Sequence, residues 1–244
     1  MAAGRSARSF ASPKNTIADS AAFSRDFSQQ KCSHIRMQAD FSIELGAEDD
    51  AMELPWQSPD GKLRYYDLKR QPELLLEVSE AFENKELGEF LAATNSANSI
   101  LETSKCDCWL SNELSEEERG IGSRWGATWK FGSYVDLIFS QPGPRYSLPA
   151  HEQLVRSACE LLKRAPEISS AAEFCVRHCY CHAEGNADSR QGFGVTFYLS
   201  GYGDDEAEAR SRWNIGMKLV ENALLQLSAR MRKTGAVDSP VVRS

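Results

Sequence analysis

The stretch ATWKFGSYVDLIF, at residues 127–139, decides the fold of this chain. Large apolar side chains occupy its odd-numbered positions, and smaller or polar side chains occupy most of its even-numbered positions. The odd-numbered positions hold Trp129, Phe131, Ser133, Val135, Leu137 and Phe139, with the serine as the exception. Because side chains alternate between the two faces of a β-strand, this period of two predicts a strand with one buried face.

The same alternation returns in GFGVTFYLSGY at residues 192–202. Less regular apolar runs at 103–112 and 172–182 predict a further strand before each of these two. An amphipathic helix follows each pair, the first with Ser147 as its candidate N-cap and the second beginning among the acids at Asp204. The sequence therefore predicts an α+β fold in which two ββα repeats form an antiparallel sheet with helices on one face.

An N-terminal helical region precedes the repeats. Pro72 begins it, and spaced apolar residues continue to about Asn95. The tetrapeptide Ser-Pro-Asp-Gly at 58–61 indicates a turn upstream of that region. No linker rich in proline, glycine or serine divides the repeats, so we expect a single α+β domain at 53–233. A domain of that length can form a stable core without disulfides or metals.

Residues 1–52 differ in composition from the rest of the chain. Their first part is rich in alanine and serine, carries early basic residues and has no acid before Asp19. Three interpretations are open: a disordered tail, a misassigned start with Met37 or Met52 as the true first residue, and a targeting peptide. In each of them we expect 1–52 to lie outside the core. We also expect a disordered tail at 234–244.

The bulk composition is that of a soluble globular protein. Of the 244 residues, 41% are hydrophobic and 26% are charged, which are ordinary fractions for this class. The net charge of −7 argues against nucleic-acid binding and against an anionic membrane, since both require a basic surface. No apolar run approaches the ~20 residues that a membrane helix needs. We expect a cytoplasmic protein that binds neither nucleic acid nor membrane.

Seven cysteines raise the question of a metal site. Two C-x-C pairs, Cys106 with Cys108 and Cys179 with Cys181, lie in predicted strands, where same-face neighbours stand roughly 6–7 Å apart. Structural zinc sites use C-x₂₋₄-C spacings in turns, and the alternation places these two pairs on opposite faces of the sheet. We therefore expect no metal and no cofactor. Exposed thiols at the second pair and at Cys175 leave a thiol-based metal or redox sensor as an alternative.

Two glycine-containing motifs indicate no reaction. Gly201-Tyr202-Gly203 lacks the third glycine of a dinucleotide fingerprint, because Glu206 stands there, so we interpret it as a strand-to-helix turn. The segment 120–126 is interpreted as a flexible connection between strands, although its amides could hold an anion. There is no P-loop, nucleophile elbow or HExxH motif, so the sequence predicts no catalytic residue and argues against an enzyme.

The sheet face opposite the predicted helices carries the candidate binding residues. They are Trp109, Lys130, Tyr134, Asp136, Arg177, Thr196 and Tyr198. Tyrosine, tryptophan and arginine are enriched at binding hot spots, and a merely solvated face rarely carries so many of them. Our leading hypothesis is a non-catalytic module that binds another protein, or itself, through this open face. The face could instead be covered by the N-terminal segment or by another subunit.

The rival hypothesis is a small-molecule-binding protein or enzyme with a pocket over the same face. In this hypothesis Asp136 acts as a general base, Arg177 clamps an anion, and the segment 120–126 serves as a lid. A general base needs a carboxylate with a raised pKa beside the substrate, which only a structure can reveal.

Overall fold

The computed structural model describes residues 37–122, 126–182 and 189–233, all within one unit, His34–Ser244. Both strands predicted from strict alternation form, and each has a partner at the predicted place upstream. The strands are β1 (Gln38–Glu44), β2 (Met52–Leu54), β3 (Leu101–Ser111), β4 (Trp129–Phe139), β5 (Ser170–His182) and β6 (Ser189–Gly203). With the helices given below, they make an α+β fold.

The six strands form one mixed sheet in the order β1-β5-β6-β4-β3, and β2 also pairs with β5. The four strands from β3 to β6 pair antiparallel, whereas β1 and β2 both run parallel to β5. The prediction of a purely antiparallel sheet is therefore wrong. Alternation identifies a strand but not its partner, and the parallel strands come from upstream of the proposed repeats. That the two halves are copies of one ββα unit stays a prediction.

Strand β1 lies inside the segment 1–52, which we expected to remain outside the core. Met37 and Ala39 are buried in the main hydrophobic core, and Phe41 packs against it. The structural domain therefore extends upstream of residue 53. The opposite face of this edge strand is polar, which weakened its sequence signal. The expectations for the first 36 residues and for 234–244 lie outside the described residues.

The helices match the predicted positions in most cases. They are the 3₁₀ helix Pro72–Glu77, α1 (Ser79–Glu83), α2 (Lys85–Thr94), α3 (Glu116–Gly122), α4 (Pro142–Arg145), α5 (Leu148–Leu162) and α6 (Glu206–Lys233). Ser147 caps α5, since its Oγ accepts a hydrogen bond from the Ala150 amide at 3.4 Å. Part of the glycine-rich segment 120–126 belongs to α3 rather than to a loop, and 123–125 lie outside the described residues.

Helices α2, α5 and α6 pack on one side of the sheet. Trp213 of α6 is fully buried there, with its ring edge-on to Phe131 at 4.8 Å between centroids. Its indole Nε1 donates a hydrogen bond to the Oγ of Ser133 at 2.8 Å, which explains the one polar residue on the apolar side of β4. None of the described helices is long and apolar enough to cross a bilayer.

Candidate functional site

The side of the sheet opposite these helices is covered at two ends and recessed between them. At one end Met52, Leu54, Ile138, Cys179 and Cys181 form a small apolar cluster, against which Tyr65 packs. At the other end a second cluster is formed by Leu114, Ala127 and Tyr202. The side chains between these clusters line a cleft, so this face is neither bare nor fully covered.

The cleft is a cavity of about 400 Å³. Its floor is formed by strand residues, namely Tyr134, Asp136, Arg177, Thr196 and Tyr198. Its walls are formed by Lys105 and by a segment around β2 that includes Asp50, Ala51, Met52, Glu53, Trp56 and Gln57. Five of the seven binding residues predicted from the sequence thus lie together in one cavity.

Strand register accounts for the arrangement of the floor. On the antiparallel pair β4 and β6, Tyr134 lies opposite Tyr198 and Asp136 lies opposite Thr196. Directly opposed residues share one face of a sheet and lie close enough for their side chains to interact. The Thr196 hydroxyl donates a hydrogen bond to Asp136 Oδ1 at 2.8 Å, and the two tyrosine rings lie 6.3 Å apart. The floor is therefore held by two adjacent cross-strand pairs.

A β-bulge in the edge strand β3 adds the next residues of the site. The register shifts between Thr103 and Cys106, which face consecutive odd positions of β4, so that Ser104 and Lys105 together lie opposite Asp136. The carbonyl of Ser104 accepts a hydrogen bond from the indole Nε1 of Trp56 at 2.8 Å. The bulge thus fixes the tryptophan of the wall and directs the lysine towards the cleft.

The ammonium group of Lys105 lies over two aromatic rings. Its Nζ is 5.1 Å from the centroid of the Trp56 ring and 5.9 Å from that of Tyr134. Both distances are within the ~6 Å range of a cation–π interaction. Lys105 and Trp56 were absent from the residues predicted to bind. The bulge breaks the regular alternation at Lys105, and Trp56 reaches the sheet from a distant segment.

The wall segment approaches the sheet closely because β6 has a glycine beneath it. A Cβ atom at Gly194 would lie 2.6 Å from the Sδ of Met52, so the Met52 side chain would have to move to make room for a larger residue. After β2 the chain turns back on itself, with Tyr65 N donating to Trp56 O at 2.9 Å. Gly61, at the turn predicted for 58–61, adopts a φ of 69°, which favours glycine.

Asp136 is the most deeply placed charged group of the cleft. Burial raises the pKa of its carboxyl to about 6 from 3.8, while the Thr196 hydrogen bond and the charges of Lys105 and Arg177 oppose this rise. Within the described part of the chain, no basic side chain forms an ion pair with Asp136. This carboxyl therefore titrates near pH 6, and above that pH it is a partly buried anion with one hydroxyl partner.

The guanidinium of Arg177 already has partners. Its Nε donates to the Sγ of Cys175 at 3.1 Å, and its Nη2 lies 3.2 Å from Glu44 Oε2. Its Nη1 is 3.9 Å from Asp50 Oδ2, which is almost fully exposed. Two carboxylates therefore compensate the charge of Arg177, and Glu44 is supplied by β1, the strand that the sequence placed outside the domain.

The two remaining predicted residues lie elsewhere on the face. Lys130 is buried and forms an ion pair with Glu118 of α3, so its charge is compensated inside the protein. Trp109 lies against Gly132 of β4, with its indole near the ammonium of Lys130, and remains 38% exposed. These two residues belong to the side of the face beyond Tyr134 and line no part of the cleft.

The thiols that the sequence placed on the open face are buried. Cys175, Cys179 and Cys181 are each at most 9% exposed. Cys179 and Cys181 belong to the apolar cluster with Met52 and Leu54, and the Sγ of Cys175 accepts a hydrogen bond from Arg177. Burial raises the pKa of the Cys175 thiol, which disfavours its reactive thiolate. The expectation of exposed thiols is therefore wrong. In the described ranges, no group of three or more His, Cys, Asp or Glu side chains is arranged to hold a metal ion.

The cleft combines the partly buried carboxylate of Asp136, two basic groups, three aromatic rings and a hydroxyl on the non-helical face of a mixed sheet. Those residues can accept and donate hydrogen bonds, hold charge of either sign and stack on a flat ligand. Comparison with protein-family models, with curated proteins and with solved structures finds no match to this chain.

Proposed function

We propose that this protein binds a small polar molecule in the cleft. The observation that carries the proposal is the position of Asp136, a partly buried carboxyl with a raised pKa at the floor of a cavity that reaches the surface. Ionisable groups with perturbed pKa values in concave sites are concentrated at functional positions, because an uncompensated buried charge costs stability. A ligand that compensates the negative charge of Asp136 would give this carboxyl a function in binding.

The dimensions of the cleft favour a small molecule over a protein surface. A volume of about 400 Å³ lies within the range of roughly 300–1,000 Å³ that is usual for ligand pockets. Tyr134 and Tyr198 are recessed and half-buried, so a flat partner surface would meet the rim before it met these rings. Several polar groups converge on one space, which is the arrangement that orients a ligand.

Catalysis at Asp136 is compatible with this proposal but is not required by it. A carboxyl whose pKa is about 6 can exchange a proton near neutral pH, as a general base must. Burial also raises the pKa values of Tyr134 and Tyr198, so both phenols stay protonated and can donate hydrogen bonds to a ligand. The geometry of the cleft directly supports one part of the rival hypothesis, namely the binding of a small molecule.

A thermal-shift screen against a library of polar metabolites tests the proposal. We expect at least one compound to raise the melting temperature of the wild type, and we expect Asp136→Asn to abolish that increase. Glu173→Gln is the matched control, because Glu173 is an exposed carboxylate on the same side of the sheet but outside the cleft. Compounds that stabilise all three proteins equally, or a screen without any stabilising compound, would contradict the proposal.

Self-association or binding of a partner protein remains a second candidate, supported by apolar exposure at the β3 edge. Strand β3 ends the sheet, and on it Trp109 is 38% and Leu110 36% exposed. Exposed aromatic side chains on an edge strand are suited to pairing with another chain. Sedimentation of Trp109→Ala against Leu63→Ala, an exposed apolar control elsewhere, tests this candidate, which requires that only the first variant weakens association.

A further inference from the structure

We infer that the cleft selects an organic cation, and that Lys105 competes with this ligand for the same aromatic rings. This inference rests on the proposed function, since it names the class of molecule that the cleft binds. Three observations carry it: the rings beneath the Lys105 ammonium, the partly buried carboxylate of Asp136 beside them, and the balance of charge around the cavity.

The first observation is that two aromatic rings already hold an ammonium group. Trp56 and Tyr134 both lie within 6 Å of Lys105 Nζ, and tryptophan is the ring that binds cations best. The indole of Trp56 is fixed by its hydrogen bond to the Ser104 carbonyl, and the ring of Tyr134 lies against that of Tyr198. The rings are therefore preorganised, and a ligand cation binding there would not need to order them.

The second observation is the position of Asp136. It lies in the floor of the same cavity, adjacent to Tyr134 along the face of β4, and the described residues offer it no ion pair. The hydroxyl of Thr196 satisfies one carboxylate oxygen with a hydrogen bond but supplies no positive charge. Aromatic faces together with a carboxylate that forms no ion pair make a site that attracts ammonium groups and repels anions.

The third observation is that carboxylates outnumber basic groups by one among the charged residues lining the cleft. The lining contains three carboxylates, Asp50, Glu53 and Asp136, against the two basic side chains of Lys105 and Arg177. Arg177 is in addition paired with Glu44 of β1. An anionic ligand would have to approach this surplus of negative charge and would find one of the two cations already compensated.

Lys105 is able to leave the rings. It lies at the bulge of an edge strand, its side chain is exposed, and within the described part of the chain it forms no ion pair. A long side chain with four rotatable bonds exchanges rapidly between conformations when it is held this weakly. Lys105 is therefore a competitor that a cation can displace, and it lowers the apparent affinity of the cleft without abolishing it.

Titration with choline and with 3,3-dimethylbutan-1-ol, its uncharged carbon analogue, tests the inference. The two probes have nearly the same shape, so any difference in affinity reports on the positive charge. Binding is followed by calorimetry and by the indole NMR signal of Trp56, assigned with Trp56→Phe. We expect choline to bind at least tenfold more tightly than the alcohol to the full-length wild type.

Variants of this chain then test the separate contributions of the lysine and the carboxylate to cation binding. We expect Lys105→Met to tighten choline binding about threefold or more, because it removes the competitor, and a misfolded variant would not bind more tightly. Asp136→Asn should weaken choline binding at least tenfold. Lys85→Met is the matched control, since Lys85 is an exposed lysine on α2, and it should leave the affinity unchanged.

The outcomes distinguish this inference from the proposed function. Equal affinity for choline and the alcohol, or weaker choline binding in Lys105→Met, would overturn the cation inference. An anionic metabolite that binds in the cleft and is lost in Lys105→Met would also overturn it, but would leave the proposed small-molecule function in place. A cleft that binds neither the probes nor any compound of the metabolite library would overturn both.

Discussion

At the scale of the residue, Asp136 is a group whose charge the fold compensates poorly. Its pKa in the folded protein, about 6, exceeds the ordinary value of 3.8 mainly because the carboxyl is buried. Between these two values the folded state holds more protons than the unfolded state, so stability falls as the pH rises from about 4 to above 6. A shift of this size corresponds to a loss on the order of 3 kcal/mol at pH 8.

Replacing Asp136 by asparagine is therefore expected to stabilise the protein at high pH. The amide keeps an oxygen that can accept the Thr196 hydrogen bond but carries no charge to bury. We predict a free energy of unfolding higher by about 3 kcal/mol at pH 8, and a difference that falls below about 1 kcal/mol near pH 4. Urea denaturation of both proteins at the two pH values measures this difference, and taking the difference between proteins cancels the titration of other groups. A less stable variant at pH 8 would contradict the assignment.

The sequence predicted the residues of the cleft floor but not those of its walls. Period-two alternation assigns each side chain of β4 and β6 to a face, and so it identified Tyr134, Asp136, Thr196 and Tyr198. Lys105 lies in a β-bulge, where two residues of β3 lie opposite one residue of β4 and the alternation of side chains between the two faces fails. The other wall residues reach the cleft through contacts between segments far apart in sequence, which a local pattern cannot encode.

At the scale of the element, the long helix α6 packs directly on the end of β6 at two glycines, Gly201 and Gly203. A Cβ atom at Gly201 would lie 2.2 Å from the backbone nitrogen of Trp213 and 2.4 Å from the carbonyl oxygen of Ala209. The glycine motif at 201–203 is thus explained by close packing of a helix on a strand. Our interpretation of it as a strand-to-helix turn is wrong in position, because residues 201–203 are the last residues of β6 and the chain bends at 204–205 before α6.

Gly201→Ala is expected to destabilise the protein strongly, because backbone atoms rather than flexible side chains occupy the space of the added methyl group. We predict a loss of about 3 kcal/mol or more in the free energy of unfolding, at the upper end of the range for overpacked cores. Gly143→Ala, in α4, is the matched control, since no atom lies within 4 Å of its added Cβ. Equal stability of the two variants in urea denaturation would show that α6 does not pack on β6 in this way.

The helices were easier to predict than the strand partners, for a physical reason. Ser147 and the following proline mark the beginning of α5 through local capping, and a period near four identifies the buried side of α6. The parallel pairing of β1 with β5 joins Gln38 to Ala171, across more than half of the chain. Nothing in the residues around Gln38 specifies that partner, so the mixed character of the sheet could not be derived from the sequence.

At the scale of the whole molecule, β1 joins the core to the cleft. Its buried residues Met37 and Ala39 belong to the main core, whereas Glu44 at its other end pairs with Arg177 on the cleft floor. A chain begun at Met52 would lack this strand, and a chain begun at Met37 would keep it. We expect the shorter chain to be less stable by roughly 4 kcal/mol or more, because it leaves a core cavity and an unpaired edge on β5.

Thermal denaturation of the two shortened chains measures this contribution. A loss of that size corresponds to a melting temperature lower by about 10 °C or more in a domain of this length. Comparing the two chains with each other isolates β1, because both lack the residues before Met37. Equal melting temperatures would contradict the placement of β1 in the sheet.

The most direct test of the central claim is to locate a bound ligand by the indole NMR signals of the tryptophans. The signal of Trp56, in the cleft wall, should shift in proportion to occupancy when a stabilising compound is added. The signal of Trp213, which is buried between α6 and the other side of the sheet, should not move. A stabilising compound that shifts Trp213 and leaves Trp56 unchanged would show that the ligand site lies elsewhere.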